Sequence, residues 1–214
     1  MVNKLHYNAT GQLLLDILKT LMAAEEFNDF RLVGGTALSL FRGHRESVDI
    51  DMFSDVPYGS IDFGAIDAFL HRTFYYVDTN EDKVVGPGKS YFIGNNRDDC
   101  VKLDLFYTDR FIQGIILIDD IRLATIEEIL AMKIDIISRG GRKKDFWDIH
   151  ELKDDYSIDK MVALHKQRNP YTHDENQIRI NFSNFQIADD DFDPICLKGK
   201  HWQIIKLDMI DFAK

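Results

Sequence analysis

Two aspartates two residues apart, Asp49 and Asp51, are the strongest sign of chemistry in this sequence. They lie in residues 48–53, where Val48 and Ile50 alternate with the acidic residues as expected of a β-strand. Successive strand side chains point to opposite faces, so the two carboxylates share one face. Carboxylates this close repel each other, and Mg²⁺, which takes one or two carboxylates plus substrate phosphates, is the natural ion to offset the repulsion. The spacing therefore predicts a magnesium site on this strand.

A glycine turn precedes the acidic strand and has the features of an anion site. An apolar run enters Gly34 and Gly35, and residues 36–40 then carry apolar side chains at helical spacing. Glycines let the backbone approach a ligand, and the N–H groups at a helix start attract anions. We therefore expect Gly34, Gly35 and Thr36 to hold phosphates. An acidic pair alone, or a glycine turn alone, is more often structural, so the prediction depends on their order within about twenty residues.

These residues also resemble a known family. The segments GGTALSL, HRES and DIDMF are similar to the first motif of the AbiEii/AbiGii-type nucleotidyltransferase toxins, which belong to the polymerase-β-like nucleotidyltransferase superfamily. The resemblance extends from about Phe30 to Leu152 and implies that Arg45 and Ser47 contact the nucleotide. It also implies an α+β (mixed α/β) fold, with a small mixed sheet flanked by helices. The nucleotidyltransferase core would span residues 1–152 and a C-terminal helical lobe 153–214, unless the two form one continuous domain.

A third carboxylate is predicted on a later strand. In the run VKLDLF, Asp104 points away from the face that its neighbours Leu103 and Leu105 share. From the pattern alone this describes an ordinary solvent-facing aspartate on a half-buried strand. The family resemblance implies instead that Asp104 lies beside Asp49 and Asp51 and joins them in holding metal, with two Mg²⁺ ions in the complete site.

A helix is predicted to start after Thr125, with Glu128 three residues on completing a capping box. Lys133 falls beside the apolar stripe of this helix, and periodicity alone allows a lysine whose stem is buried and whose charge reaches solvent. The segment MKIDIISR resembles the third motif of the family, which implies that Lys133 faces the nucleotide phosphates and that Arg139 assists. Arg139 could equally pair with Asp135, four residues away on one helix face.

The next predicted helix, residues 143–152, carries Asp145 and Asp148 three residues apart on one face. Its sequence, KKDFWDIHEL, resembles the fourth motif of the family. The resemblance implies that one of the two carboxylates orients Lys133 towards the triphosphate through a charge-assisted hydrogen bond. The alternative is that both acids only complement the dipole at the start of the helix.

The composition is that of an ordinary globular protein, with 45% hydrophobic and 29% charged residues. The formal net charge of −10 argues against a large non-specific DNA-binding surface but allows a local basic groove. Cys100 and Cys196 lie far apart, without the spacing of a zinc site or a disulfide framework. The first residues lack the apolar core of a signal peptide, and no run approaches the ~20 apolar residues of a membrane span. We therefore expect a cytoplasmic enzyme without a membrane partner.

Together the motifs predict magnesium-dependent nucleotidyl transfer. An NTP would bind with its phosphates over the glycine turn, and an acceptor hydroxyl would attack the α-phosphate and expel pyrophosphate. The family resemblance implies an RNA acceptor, the acceptor end of tRNA, and a toxin paired with a neighbouring antitoxin in phage defence. Three alternatives stay open: transfer to a small molecule, transfer to a protein, and a nucleotide-binding module that has lost catalysis.

Overall fold

A computed structural model describes residues 4–79 and 86–214 of the chain. Within these residues the strands are β1 (Arg31–Leu32), β2 (Asp49–Ser54), β3 (Tyr76–Asp78), β4 (Gly88–Asn96), β5 (Asp99–Tyr107), β6 (Ile116–Ile118) and β7 (Ile121–Leu123). The α-helices are α1 (Gln12–Ala23), α2 (Gly34–Arg42), α3 (Phe63–Thr73), α4 (Ile126–Ser138), α5 (Lys143–Leu152), α6 (Ile158–Arg168), α7 (Glu175–Asn181), α8 (Gln186–Asp189) and α9 (Trp202–Phe212). The predicted mixture of helices and a mixed sheet is confirmed.

The described strands form one mixed sheet in the order β3-β4-β5-β2-β1-β7-β6. The central strands β2 and β5 run parallel, while β1 pairs antiparallel with β2 and parallel with β7. Ile50 and Met52 of β2 and Leu103 and Leu105 of β5 are fully buried on one face. Because side chains alternate along a strand, that apolar face forces the aspartates of both strands onto the other face.

The helices form one hydrophobic core with the sheet. Helix α1 contacts β2, β5 and β7, and α2 contacts both β2 and α4. The C-terminal helices do not stand apart from the rest, because α6 and α7 pack on α4, and α8 and α9 pack on α5. A single cluster of buried apolar residues runs from Leu5 to Met209. None of the helices in the described part of the chain is long and apolar enough to span a bilayer.

Several predicted elements differ from those observed, and β4 is the clearest case. The run Gly86-Pro87-Gly88 in the sequence predicts a loop over residues 80–90. Residues 80–85 lie outside the described residues, and Gly88 already belongs to β4. A Cβ atom on Gly88 would lie 2.2 Å from the carbonyl oxygen of Leu105, and one on Gly94 would lie 2.4 Å from that of Asp99. These glycines therefore permit close approach of two strands and do not mark a loop.

Two further differences follow from local hydrogen bonds. Thr125 caps α4 by accepting from the N–H of Glu128 at 3.1 Å, but the predicted capping box is wrong in its second half. The Glu128 carboxylate accepts instead from the N–H of Ile112 at 2.7 Å and pairs with Arg168. The sequence predicts a single helix over residues 176–187, but the structure has α7 and α8 there. The Asn184 side chain accepts from the N–H of Gln186, the first residue of α8.

Arg122 of β7 ties the connection between α1 and β1 to the sheet. Its guanidinium donates to the carbonyls of Met22 at 2.9 Å, Phe27 at 2.9 Å and Phe30 at 3.0 Å. We predict that Arg122→Met lowers the free energy of unfolding by about 2 kcal/mol, since three acceptors lose their donor. Urea denaturation measures this loss. The exposed Arg97→Met is the control and should change it by less than about 0.5 kcal/mol; equal losses for both variants would contradict the bracing role.

Candidate active site

The structure brings the three predicted carboxylates onto one face of the sheet. In the parallel β2–β5 ladder, Asp51 lies directly opposite Asp104, and Asp49 lies opposite Lys102. Strand partners in register point to the same side, so Asp104 is the immediate lateral neighbour of Asp51. The backbone of two strands, and not a flexible loop, therefore fixes the spacing of the acidic cluster.

This cluster carries a surplus of negative charge. Burial and the neighbouring charge of Asp104 raise the pKa of Asp51 above its usual value, and Lys133 acts in the opposite direction. Asp49 lies 3.7 Å from the ammonium of Lys144. The carboxylate of Asp104 contacts Ser90 and Lys102. Carboxylate oxygens are the ligands that Mg²⁺ prefers, and a dication would offset the repulsion between the acids.

The carboxylates alone do not supply all the ligands that a metal ion needs. Within the described residues, no group of three His, Cys, Asp or Glu side chains is placed to hold a metal ion. Asp104 accepts a hydrogen bond from the Ser90 hydroxyl at 2.7 Å, and its other oxygen lies 2.5 Å from the Lys102 ammonium. The residues present therefore fit a metal held by Asp49 and Asp51 and completed by substrate phosphates, with Asp104 available after Lys102 moves away.

The glycines of the turn have a packing role in addition to the phosphate contact expected of them. Helix α2 begins at Gly34 itself, whose φ is +67°, and not after the glycine pair. A Cβ atom on Gly34 would lie 2.6 Å from Oδ2 of Asp51, and one on Gly35 would lie 2.4 Å from Nη2 of Arg45. Both glycines thus make room for the protein's own charged side chains. The N–H groups of the first turn remain next to those charges, where an anion could bind.

Thr36 holds the acidic strand in place. It is buried, and its hydroxyl lies 2.8 Å from the Ser47 hydroxyl and donates to the carbonyl of Asp49. The side chain is therefore engaged within the fold, and its contribution to the site is to fix the start of β2 against α2. Ser47, in contrast, lines the cavity beside the carboxylates.

A buried ionic network lies beside these carboxylates, with Asp148 of α5 at its centre. Its carboxylate accepts from Nε and Nη2 of Arg45 at 2.7 and 2.9 Å, and from Nε2 of His44 at 2.7 Å. The ammonium of Lys133 lies 2.8 Å from its second oxygen. Burial alone would raise the pKa of Asp148, but the charges of Arg45 and Lys133 and the donated hydrogen bonds hold it well below its usual value.

Lys133 joins this network and does not reach solvent. Its side chain is 5% exposed, and its ammonium donates to Asp145 at 2.6 Å in addition to contacting Asp148. The alternative of a snorkelling lysine is therefore wrong. Burial would lower the pKa of Lys133, but the two carboxylates raise it, so the side chain stays charged. Asp145 also accepts from the backbone N–H of Arg142 at 3.1 Å and so caps α5 as well.

The structure separates Arg139 from this site. Its side chain is 69% exposed and pairs with Asp135, the alternative that the helical spacing allowed. Two other cations, Arg142 and Lys144, line the cavity instead. The sequence shows both in a basic cluster at the start of α5, but it assigned neither of them a role in the site. His44 was also missed as a partner of Asp148, since nothing in its sequence neighbourhood indicates that contact.

The acidic and basic groups meet in a cavity of about 180 Å³. Its lining consists of Val33, Gly34, Gly35, Arg45, Ser47, Asp49, Asp51, Phe53, Ile129, Met132, Lys133, Ile136, Arg142 and Lys144. A second cavity of about 350 Å³ adjoins it and shares Arg45, Ser47, Asp49, Arg142 and Lys144. One site therefore combines carboxylates for a metal, cations and N–H groups for phosphates, and an apolar wall suited to a ring system.

Comparison with known proteins agrees with this geometry. A family model described as "Nucleotidyl transferase AbiEii toxin, Type IV TA system" matches residues 16–213. A candidate nucleotidyltransferase from H. pylori shares the fold with a TM-score of 0.58 at 18% identity, covering 94% of this chain and 90% of the other. MenT4, a nucleotidyltransferase toxin from Mycobacterium tuberculosis H37Rv, gives a TM-score of 0.56 at 13% identity, covering 94% and 82%. A search of curated proteins finds no match.

Gly34 allows a direct test of the packing between the turn and the acidic strand. We predict that Gly34→Ala lowers the free energy of unfolding by about 1–2 kcal/mol from left-handed strain alone, and by more because its Cβ meets Asp51. In an Asp51→Ala background, Gly34→Ala should lower the free energy of unfolding by only about 1–2 kcal/mol, because the backbone strain remains and the contact with Asp51 is gone. Urea denaturation measures both. Gly11→Ala, with open space around it, is the control; the idea fails if Gly34→Ala is as harmless as this control.

Proposed function

The chain belongs to the AbiEii nucleotidyl transferase toxin family, and from this premise we propose that it transfers a nucleoside monophosphate from an NTP to a hydroxyl of RNA, at the acceptor end of a tRNA. Nucleotidyl transfer and the toxin class follow from the family. The RNA acceptor, the magnesium dependence and a role in phage defence are the proposed parts. A neighbouring antitoxin would restrain the activity, as expected for a toxin-antitoxin system.

One observation carries the proposal: the parallel register that sets Asp51 beside Asp104, with Asp49 on the same face. The buried cations Arg45 and Lys133 line the same cavity as Asp49 and Asp51. A triphosphate suits this combination, because some of its oxygens can bind metal while others bind protein cations. The same arrangement disfavours a module that has lost catalysis, since Asp49, Asp51 and Asp104 are all present on one face.

A metal would be held by Asp49 and Asp51, with Asp104 joining at the acceptor side. Bound Mg²⁺, with two ions expected, would supply charge stabilisation on the entering and leaving oxygens and lower the pKa of the acceptor hydroxyl. The protein's own groups do the rest. The N–H groups of Gly34 and Gly35 and the guanidinium of Arg45 bind phosphate oxygens at the start of α2.

Two lysines complete the phosphate side. Lys133 is fixed by Asp145 and Asp148, so its ammonium is already oriented before an NTP arrives. Lys144 is partly exposed and lies 3.7 Å from Asp49, a contact loose enough to be exchanged for a phosphate. The apolar cavity residues Phe53, Ile129, Met132 and Ile136 would receive the nucleoside and exclude water from the reacting atoms.

Labelled NTPs test the proposal directly. With Mg²⁺ and total RNA, we expect one NTP to label RNA, and Asp51→Asn to reduce the rate at least about 100-fold because a metal ligand is lost. The exposed Asp109→Asn, an identical change outside the cavity, should retain the rate. Thermal denaturation of all three proteins excludes unfolding as the cause.

The alternatives give different outcomes in the same assay. Label in a small molecule or in protein from cell extract, with none in RNA, would contradict RNA as the acceptor but would support nucleotidyl transfer as the reaction. Equal rates for Asp51→Asn and the parent chain would contradict the site itself. Metal-dependent NTP binding without any labelled product would favour the nucleotide-binding module.

A further inference from the structure

The sheet face that carries the carboxylates continues sideways onto β4. In the antiparallel β4–β5 ladder, Ser90 lies opposite Asp104 and Phe92 lies opposite Lys102. Register partners point to the same side, so these four side chains share one face with Asp51. Phe92 is 39% exposed, and the Lys102 side chain is 39% exposed. We call Phe92 and Lys102 the stacking pair.

Phe92 is not explained by the hydrophobic core. Its neighbours Tyr91 and Ile93 point to the opposite face and are almost fully buried, as is Leu103 on the adjacent strand. The core side of β4 is thus already filled, while the solvent side presents a phenyl ring beside the side chain of a lysine. An exposed aromatic ring beside a cation is the combination by which proteins hold unpaired nucleotides, since the ring stacks on a base and the cation meets a phosphate.

The stacking pair lies next to Asp104, which connects it to the acceptor side of the site. Lys102 and Asp104 are two residues apart on β5, so their Cα atoms are about 6.6 Å apart along the strand. A nucleotide stacked on Phe92 would therefore lie directly beside the nucleotide whose hydroxyl faces Asp104. On the far side the pair is bounded by Asp78, which lies opposite Phe92 on β3 and accepts from the Tyr76 hydroxyl at 3.3 Å.

We propose that the stacking pair binds the single-stranded 3′ end of the RNA acceptor, with Phe92 under the base next to the terminal nucleotide and Lys102 on its phosphate. This inference rests on the proposed function and extends it to a recognition surface. A protein partner is a poorer fit, because the described residues of this part of the face offer the exposed Phe92 ring and the partly buried Tyr76 ring among charged and polar groups, without an apolar patch of interface size.

The contact between Lys102 and Asp104 is part of the same proposal. Without RNA, the ammonium lies 2.5 Å from the carboxylate and neutralises one charge of the acidic cluster. When a phosphate of the acceptor strand arrives, Lys102 exchanges the carboxylate for the phosphate. Asp104 is then released towards the acceptor hydroxyl, so acceptor binding and completion of the acidic site become one event.

The test measures RNA binding and transfer separately. Phe92→Leu keeps an apolar side chain and removes the ring, and it should raise the KM for RNA at least about tenfold while the KM for NTP stays unchanged. Phe92→Trp should retain the parent KM. Tyr171→Leu is the matched control, because it removes an aromatic ring that is 99% exposed and lies outside the sheet.

Lys102→Gln tests the phosphate contact through salt dependence. Binding of a labelled single-stranded oligoribonucleotide, followed by fluorescence anisotropy, should lose about 0.7 from the slope of log affinity against log salt concentration. A duplex of the same sequence should bind weakly to every variant. An unchanged slope for Lys102→Gln would contradict its role as the phosphate contact.

The outcomes separate this inference from the proposed function. If the parent chain labels RNA and Phe92→Leu has an unchanged KM for RNA, the stacking pair is wrong and the proposed function stands. If the oligoribonucleotide binds through Phe92 but no RNA is labelled, the pair stands and the proposed acceptor chemistry is wrong. If the parent chain neither binds nor labels RNA, both are contradicted.

Discussion

The rest of the site depends on one buried carboxylate. Asp148 is enclosed by the protein and neutralised by Arg45 and Lys133, with His44 donating a further hydrogen bond. A buried charge without partners would be costly, so α5 can pack where it does only while both cations are in place. The same contacts fix those cations on the cavity wall. The same contacts with Asp148 are therefore needed both for packing of α5 and for orientation of the phosphate-binding groups.

The network also explains why the C-terminal residues belong to the site. The N–H of Leu197 donates to the carbonyl of His44 at 2.9 Å, and that of Glu46 donates to the carbonyl of Ile195 at 2.8 Å. The segment that holds the residues next to Asp148 is thus paired with the chain just before α9. The charges of this network balance within the protein, whereas the acidic face of the sheet carries an excess of negative charge. Bound metal would offset that excess and bring substrate phosphates to the neighbouring cations.

Local patterns predicted much of this arrangement, and contacts between distant segments account for what they missed. Alternation placed Asp49 and Asp51 on one face, and helical spacing placed Asp145 and Asp148 together, because both periods are set by the backbone. The family resemblance was needed to expect Asp104 beside the first two. The glycine pattern read Gly88 as a loop residue, and the family resemblance assigned Arg139 to the phosphates although helical spacing also allowed the pairing with Asp135 that is observed. What Gly88 meets is a strand eleven or more residues away, and the role left to Arg139 was taken by cations at the start of α5.

A double-mutant cycle between Asp148 and Arg45 tests the central claim most directly. The free energy of unfolding is measured by urea denaturation for the parent chain, Asp148→Asn, Arg45→Met and the double variant. The bidentate contact predicts that each single change is strongly destabilising, by about 3–5 kcal/mol, and that the double variant loses at least about 1 kcal/mol less than the sum. Losses that add to within about 0.5 kcal/mol would show that the two residues act independently. That result would contradict a site organised around Asp148.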